Sequence, residues 1–299
     1  MAVMQWLLDS DPAIRWQVMR DLLGEPDEAF AAQRSRVARE GWGAQMLALQ
    51  APGGQWGAED DDGWMTSVYA LSLLRNLGVD PADDRIRKVI DLFRERITWW
   101  QLGGRPFFDG ETEACINGMI LAAGSYFGAD CERLVGRLLD EQLEDGGWNC
   151  EAPPSVRSSF HSTICVLEGL LAYERAHGAS PAVREARLRG QDYLLDRRMF
   201  RRLSTGEVVD RRWTRFAFPV TWQYDLLRGL DYLRSAGVAP DERVAEAIGV
   251  VEQRRHQNQR WPLGRLHADR FPLDMEAGVG RASRWNTLRA MRVLKWFRG

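Results

Sequence analysis

The sequence predicts an all-α protein built from helix pairs. Apolar residues recur at helical spacing in the long segments, and strand patterns are nearly absent. A turn motif, Gln-x3-Gly-x-Trp, occurs in LALQAPGGQWG (47–57) and LLDEQLEDGGWNC (138–150), and weaker copies lie at 98–108 and 250–264. Because each copy closes one helical segment and precedes another, the motif indicates a repeat of roughly 50 residues.

The elements follow this repeat along the chain. An N-terminal helix pair is predicted within residues 1–30, where Asp11-Pro12 marks a helix start. The first member of a later pair is amphipathic, as in DRIRKVIDLFRERI (84–97). The second members are apolar over more of their circumference, so we expect them to be more buried. They lie at 65–78, 113–128, 159–178, 220–237 and 283–297, and most end on glycine with a basic residue nearby.

Composition narrows the class of protein. The chain has 299 residues, of which 45% are hydrophobic and 27% charged, and its net charge is −2. Such a balance is typical of a soluble globular protein and predicts no general affinity for nucleic acid. No apolar run reaches the ~18 residues of a membrane span. The N-terminus has no basic region or cleavage site of a signal peptide, so we expect a cytoplasmic protein.

Two cysteines and a histidine recur at the starts of the buried helices. When the second members are aligned on Ala123 and Gly169, Cys115 and His161 occupy equivalent places. Cys150 lies in the turn that leads to the second of these helices. If the two helices are neighbours, two thiolates and an imidazole meet, which is a set of ligands for zinc. Three protein ligands leave an open position, as in catalytic zinc sites.

An acidic segment, DGETEAC, precedes Cys115. Glu113 is a candidate fourth ligand, with Asp109 and Glu111 as alternatives, and Glu113 or Glu111 is a candidate general base. Cys131 and Cys165 have no such neighbours in the sequence, so we expect no metal role for either.

The repeated turns resemble those of the α/α toroid superfamily, which contains squalene-hopene cyclases, oxidosqualene cyclases and the β subunits of protein prenyltransferases. The resemblance covers nearly the whole chain. It implies that residues 1–299 form a single α/α toroid (α6/α6 barrel) of inner and outer helices around an apolar cavity. Prenyltransferase β subunits hold zinc with Asp-x-Cys at the start of one inner helix and His at the start of the next. Glu113, Cys115 and His161 match those positions, with glutamate in place of aspartate.

The resemblance implies a zinc enzyme that acts on a partly apolar small molecule. The nucleophile is either water, in a hydrolase, or a thiol, in a prenyltransferase-like transferase. Prenyltransferases grip a diphosphate with basic residues before Asp-x-Cys. Here Arg105 is the one basic residue of GGRPFFDGETEAC, and three carboxylates follow it, which disfavours protein prenylation.

Two alternatives remain open. An acid-initiated terpene cyclase would use Asp60, Asp61 and Asp62 of AEDDDGWMTS, although this run lacks the D-x-D-D pattern of those enzymes. At the start of a helix, such a run is also typical of a solvated cap. A non-catalytic toroid would serve as a binding module and hold a structural zinc with four protein ligands.

Polar and aromatic residues late in the chain are the remaining candidates for the site. If the toroid closes, the heads of two late inner helices face the mouth that carries the zinc. We expect Arg215, Trp222 and Trp285 to bind substrate, and Tyr224 and Arg284 to act in catalysis. Trp64, before the earlier buried segment 65–78, is a further candidate for substrate binding. The competing explanation for the arginines is a salt bridge to the acidic segment 109–113.

Overall fold

The computed structural model describes residues 2–57, 61–178, 180–267, 271 and 273–299, without the side chains of residues 61–63. The chain divides into two compact units. Unit 1 comprises Met1–Ala48, Asn76–Asp80 and Leu194–Gly299, and unit 2 comprises Leu49–Arg75 and Pro81–Tyr193. The single-domain toroid and the closure of its ring stay predictions.

Helices make up nearly all the regular structure of the described residues, which confirms the all-α prediction. The α-helices are α1 (Ala2–Leu8), α2 (Pro12–Val18), α3 (Asp27–Arg34), α4 (Gly41–Ala48), α5 (Asp61–Leu77), α6 (Asp84–Arg96), α7 (Ala114–Phe127), α8 (Glu132–Asp140), α9 (Phe160–His177), α10 (Pro181–Asp196), α11 (Leu226–Ser235), α12 (Ala245–Gln253) and α13 (Arg284–Arg298). A π-helical turn, Met19–Leu23, follows α2. Short 3₁₀ helices lie at Trp100–Leu102, Phe107–Asp109, Arg211–Thr214 and Glu242–Val244. Strands β1 (Thr98–Trp99) and β2 (Arg105–Pro106) pair antiparallel, with Thr98 opposite Pro106.

The predicted difference between the two members of a pair is present in unit 2. In α6, the buried residues are Ile86, Val89, Ile90 and Phe93, one apolar stripe at helical spacing. Helix α7 is instead buried over most of its circumference. None of the described helices combines the length and apolar character that crossing a membrane requires.

The N-terminal prediction holds at the helix start and differs beyond it. The Asp11 carboxylate accepts the Ala13 N–H at 2.8 Å and caps α2, which begins at Pro12. However, three helices rather than two begin within residues 1–30. The reason is that Gly24, at φ 68°, ends the π-helical turn, and α3 starts directly after Pro26.

The repeated turns are closed by hydrogen bonds that the motif residues provide. The Trp148 N–H donates to Thr163 Oγ1 at 3.0 Å, and the indole N–H donates to the Leu138 carbonyl at 2.7 Å. The Gln142 amide donates to the Gly146 carbonyl at 2.7 Å. Because the tryptophan is fully buried and bonded at both ends, the motif ties a turn to the helices on either side.

Two other copies of the motif place the tryptophan N–H in the same way. The Trp56 N–H donates to Ser67 Oγ at 2.9 Å, and the Trp261 N–H donates to Thr287 Oγ1 at 3.0 Å. The Trp261 indole donates to the Val251 carbonyl at 2.7 Å. In each case, a hydroxyl of the following helix receives the tryptophan N–H, so the repeat recognised in the sequence has a structural basis.

Arginines of α13 connect distant segments of unit 1. Arg292 forms an ion pair with Asp231 of α11 and donates to Asp21 of the π-helical turn at 3.1 Å. Burial opposes the ionisation of Asp231, but the charges of Arg292 and Arg234 outweigh it and hold the pKa of this carboxyl well below its usual range. Arg284 Nε donates to the Trp6 carbonyl at 3.3 Å. The last helix is thereby bound to the first residues of the chain.

Candidate metal centre

Helices α7 and α9 lie against each other in unit 2, at a distance that glycine allows. A β-carbon on Gly118 would lie 2.3 Å from the carbonyl carbon of Cys165, and one on Gly169 would lie 2.7 Å from the Gly118 oxygen. The two helices whose starts carry Cys115 and His161 are therefore neighbours, as the alignment of the sequence requires.

Three potential ligands meet beside the start of α7. Each of the three places one ligand atom within 4.8 Å of the others: Glu113, Cys115 and Cys150. Among the described residues, this is the group of three that could hold a metal ion. The Cys115 Sγ lies 3.5 Å from Glu113 Oε2, and the Cys115 N–H donates to Cys150 Sγ at 3.3 Å. Cys115 is buried, Cys150 is half-buried and Glu113 is exposed, so the group lies at the surface end of the helix.

The environment of the two thiols favours a thiolate at Cys150. The hydrogen bond from Cys115 lowers the pKa of Cys150, and the Ser162 hydroxyl, 3.1 Å from Cys150 Sγ, lowers it further against the opposing effect of burial. The hydrogen bond to Cys150 and burial raise the pKa of Cys115. In metal-free protein, Cys150 is therefore the first of the two thiols to lose its proton, and the thiolate is the form that binds a metal.

The loop that carries Glu113 is held from both sides. The Glu111 carboxylate accepts the Glu113 N–H at 2.6 Å and the Thr112 hydroxyl at 2.8 Å. The buried side chain of Asn117 accepts the Glu111 N–H at 2.7 Å and donates to the Glu111 carbonyl at 2.9 Å. Glu111 thus positions the main chain at Glu113, and its predicted role as a general base stays a prediction.

His161 lies in the first turn of α9 but outside the three-residue group. Ser159 Oγ caps the helix and accepts the His161 N–H at 3.2 Å. The residue beside Cys150 is Ser162, whose Oγ also accepts the Cys150 N–H at 3.2 Å. One position along a helix turns the side chain by about 100°. The turn of α9 that contacts Cys150 is thus the one that carries His161, and the role of His161 as a ligand stays a prediction.

Three of the later candidates lie in unit 1. Tyr224 is fully buried, and its hydroxyl donates to the Met199 carbonyl at 2.7 Å. Trp285 is also buried and stacks on Phe218, with ring centroids 4.2 Å apart. The Arg284 guanidinium lies over the Trp6 ring, 4.8 Å from its centroid. These contacts give all three a part in packing, and their predicted roles in substrate binding and catalysis stay predictions.

The remaining candidates have different surroundings. In unit 1, Arg215 is exposed and Trp222 is 37% exposed, so both are accessible to a ligand. In unit 2, Trp64 packs edge-on against Phe93. Asp60 lies outside the described residues, as do the side chains of Asp61 and Asp62, and α5 begins at Asp61.

The acidic segment and the other cysteines have local partners. Asp109 forms an ion pair with Arg133 at 3.1 Å. The late arginines were the only partners of the acidic segment 109–113 that the sequence suggested. Cys131 and Cys165 are both buried. Burial raises the pKa of Cys131 to about 12, so this thiol stays protonated and unreactive near neutral pH.

Two residues of the centre escaped the sequence analysis. Ser162 directly follows His161, and its neighbours in the sequence do not indicate that it contacts a thiol. Asn117 did carry a signal, because a side-chain amide in the apolar segment EACINGMILAAG must find partners once it is buried. Such a residue indicates a hydrogen bond to main chain nearby, here to Glu111.

Comparison with known proteins adds a distant relationship. No protein-family model matches the chain. Over 130 residues, 42% of this chain, it is 25% identical to a protein of Mycobacterium tuberculosis named "Type B diterpene cyclase". The matched region spans 24% of that protein, about a quarter of its length. This similarity supports a terpene-cyclase-like relationship, in line with the resemblance of the repeated turns.

Proposed function

We propose that this chain is a zinc-dependent enzyme that acts on a partly apolar small molecule by hydrolase-type or transferase-type chemistry. The observation that carries the proposal is the convergence of Glu113, Cys115 and Cys150, whose ligand atoms lie within 4.8 Å of one another. The relationship to terpene cyclases supports an apolar substrate.

The donor set fits zinc. Two thiolates and a carboxylate are ligands that zinc accepts, and three protein ligands are typical of catalytic rather than structural sites. The lowered pKa of Cys150 prepares one of the sulfurs for coordination. Glu113 is exposed, so a substrate can approach the group from solvent. When bound, zinc supplies a Lewis acid that lowers the pKa of a water or thiol near it.

The residues around the ligands have defined tasks in this proposal. Ser162 orients Cys150 through two hydrogen bonds, and Glu111 with Asn117 fixes the loop on which Glu113 lies. Such outer contacts keep ligands in place and sustain metal affinity. His161, one residue from Ser162, is the candidate for a fourth ligand or for an acid–base group beside the site.

A second candidate function is terpene cyclisation. The observation that favours it is the similarity to the protein named diterpene cyclase. The acids in this reading are Asp60, Asp61 and Asp62 at the start of α5, one of which would protonate an alkene. This reaction needs a protonated carboxyl and no zinc, so the two functions make opposite predictions for chelation.

Metal analysis tests the first function directly. The purified protein is expected to hold close to one zinc per chain. Cys115→Ser, Cys150→Ser and Glu113→Gln should each lower zinc affinity on the order of 10–100-fold or more, measured by competition with a chromophoric chelator. Cys131→Ser is the matched control and should retain full affinity. His161→Ala separates a fourth ligand, which lowers affinity, from an acid–base group, which does not.

Activity assays then separate the reactions. Activated esters, phosphoesters and prenyl diphosphates should be offered with and without a thiol, before and after chelation. Loss of activity on chelation and recovery with zinc supports the zinc enzyme, and dependence on added thiol identifies a transferase. Full activity in metal-free protein, abolished by Asp61→Asn or Asp62→Asn, would leave terpene cyclisation as the function.

A further inference from the structure

Unit 1 carries a partly open groove remote in sequence from the cysteines. It lies among α1, the turn before Trp261 and the last turns of α13, and its volume is about 240 Å³. At roughly 30 Å³ per water molecule, the groove has room for about eight water-sized groups. Its apolar lining consists of Val3, Trp261, Met291 and Leu294.

Three of the four polar residues of the lining are cationic, and the fourth is Gln259. Arg255, Lys295 and Arg298 border the groove, and none of the described lining residues is acidic. Arg298 is paired with Glu252 at 2.7 Å, and the Lys295 ammonium donates to the Asp21 carbonyl at 3.0 Å and the Leu22 carbonyl at 3.2 Å. Lys295 is therefore bound to main chain, and no carboxylate of the described residues forms an ion pair with it.

Arg255 differs from its counterparts in the repeated turns. In two copies, the residue six positions before the tryptophan is glutamine, and its amide donates to a turn carbonyl: Gln50 to Gly54 at 3.2 Å and Gln142 to Gly146 at 2.7 Å. In the turn before Trp261 that position is Arg255. Its guanidinium lies 5.8 Å from the Trp261 ring centroid, and the side chain is exposed.

A second departure in the same turn lies four residues further on. The position two before the tryptophan is glycine in the same two copies, with φ 94° at both Gly54 and Gly146. Here it is Gln259, which keeps a left-handed φ of 65°. A non-glycine residue in this conformation costs on the order of 1 kcal/mol, and such strain gathers at ligand sites. Both departures from the repeat line the groove.

We propose that this groove binds a small amphipathic anion, a carboxylate with an apolar chain of about eight carbon atoms. The chain lies against Trp261, Met291 and Leu294, where burial of apolar surface is favourable. The carboxylate lies at the rim, beside Arg255 and Lys295, where a guanidinium offers paired donors and none of the described lining residues is acidic. The proposal does not depend on zinc or on the reaction at Cys150.

The methyl group of Met291 reports binding. Protein labelled with ¹³C at the methionine methyl groups is titrated with octanoate, and the Met291 signal is assigned from its loss in Met291→Leu. We expect a saturable shift of this signal with octanoate. Octanol and octylammonium have the same chain without the negative charge, and both should bind at least fivefold more weakly.

Two neighbouring arginines supply the variant and its control. Arg255→Gln restores the residue of the other turns and should weaken octanoate binding at least fivefold, with less than a twofold change for octanol. Arg254→Gln removes the same charge from an exposed arginine that does not line the groove and donates to Thr214 Oγ1, and it should bind octanoate as the parent does. Circular dichroism confirms that both variants are folded.

Three results would overturn the proposal. One is equal binding of octanoate, octanol and octylammonium, which leaves no role for the cations. Another is equal weakening by Arg254→Gln and Arg255→Gln, which indicates general electrostatics. The third is a Met291 signal that octanoate does not shift. If the protein then binds phosphatidylglycerol vesicles, and Arg255→Gln abolishes that binding, the groove is a contact with a lipid surface.

Discussion

Gly118 of α7 lies against the main chain of Cys165 in α9, so closely that a β-carbon on the glycine would be 2.3 Å from the carbonyl carbon and 2.4 Å from its oxygen. Main chain cannot rotate away as a flexible side chain can. The spacing of the two helices therefore depends on this glycine, and Cys115 lies one turn before it. The packing of α7 against α9 therefore bears on the geometry of the candidate metal centre.

We predict that Gly118→Ala lowers the free energy of unfolding by about 1–3 kcal/mol, the range typical of overpacking, despite the better helix propensity of alanine. Urea denaturation measures the change. Gly136→Ala in α8 is the control, because a β-carbon there meets nothing within 4 Å and the position is exposed. That variant should be stabilised by up to ~1 kcal/mol. Equal stability of the two variants would contradict this dependence of the packing on Gly118.

Selective alkylation should report the ionisation of the thiols in metal-free protein. Since the pKa of Cys150 is lowered and those of Cys115 and Cys131 are raised, iodoacetamide at neutral pH should label Cys150 first. The rate at Cys150 should rise with pH and level off at a lower pH than for an ordinary thiol, whose pKa is ≈ 8.5. Peptide mapping by mass spectrometry identifies the labelled site, and preferential labelling of Cys115 would show that the order is reversed.

Ser162 provides a sharper form of this test. Ser162→Ala removes one hydroxyl that stabilises the thiolate, a hydrogen bond worth about 1 kcal/mol, so alkylation of Cys150 at pH 7 should slow about fivefold. Ser125→Ala in α7 is the matched control, because its buried hydroxyl has no hydrogen-bond partner in the described structure. Its alkylation rate should equal that of the parent.

Stability should also depend on pH through Glu276. Burial raises the pKa of this carboxyl to about 7, against the hydrogen bonds that the Ser283 hydroxyl and the Trp285 N–H donate to it. Because the folded state holds the proton more tightly than an unfolded chain, whose glutamate pKa is ≈ 4.3, stability from Glu276 is present below pH ~4 and is lost as pH rises through about 7.

Glu276→Gln mimics the protonated form and should remove that loss. We expect the variant to be more stable than the parent by about 3–4 kcal/mol at pH 8, the size set by a rise of the pKa from ≈ 4.3 to about 7, with no advantage at pH 4. Thermal unfolding at both pH values measures the difference. Glu185→Gln, at an exposed position of α10, should show no such dependence, and a uniform gain at both pH values would point to a cause other than titration.

The sequence determined the helical architecture well because its signals are local. Amphipathic spacing located α6, and Asp11 with Pro12 located the start of α2. The start of α11 was less visible, since the predicted segment begins at Val220 and the helix begins at Leu226. There the Asp225 carboxylate accepts both the Ala217 N–H at 3.0 Å and the Arg228 N–H at 2.8 Å, which holds the preceding residues in a turn.

The residues of the Glu113, Cys115 and Cys150 group were candidates on the sequence alone. Alignment of the repeats singled out Cys115 and His161. The turn before α9 singled out Cys150, and the acidic segment singled out Glu113, because these choices rest on residue type and turn position. The choice between His161 and Ser162 beside Cys150 depends on the rotation of α9 about its axis. That rotation depends on contacts with other helices, such as those of Gly118 and Gly169, which no local pattern in the sequence encodes.

The ion pair that joins Arg292 to Asp21 bears on the order in which the chain assembles during synthesis. The two residues are 271 positions apart, and Arg284 reaches Trp6 across 278. A ribosome must therefore deliver α13 before unit 1 can close, while most of unit 2 lies in one earlier stretch, Pro81–Tyr193. Nascent chains emerge at roughly 5–20 residues per second, and domains fold as units. Unit 2, which contains the cysteines, is therefore able to fold several seconds before α13 is synthesised. During that interval, the N-terminal helices lack their contacts with α13 and are accessible to chaperones.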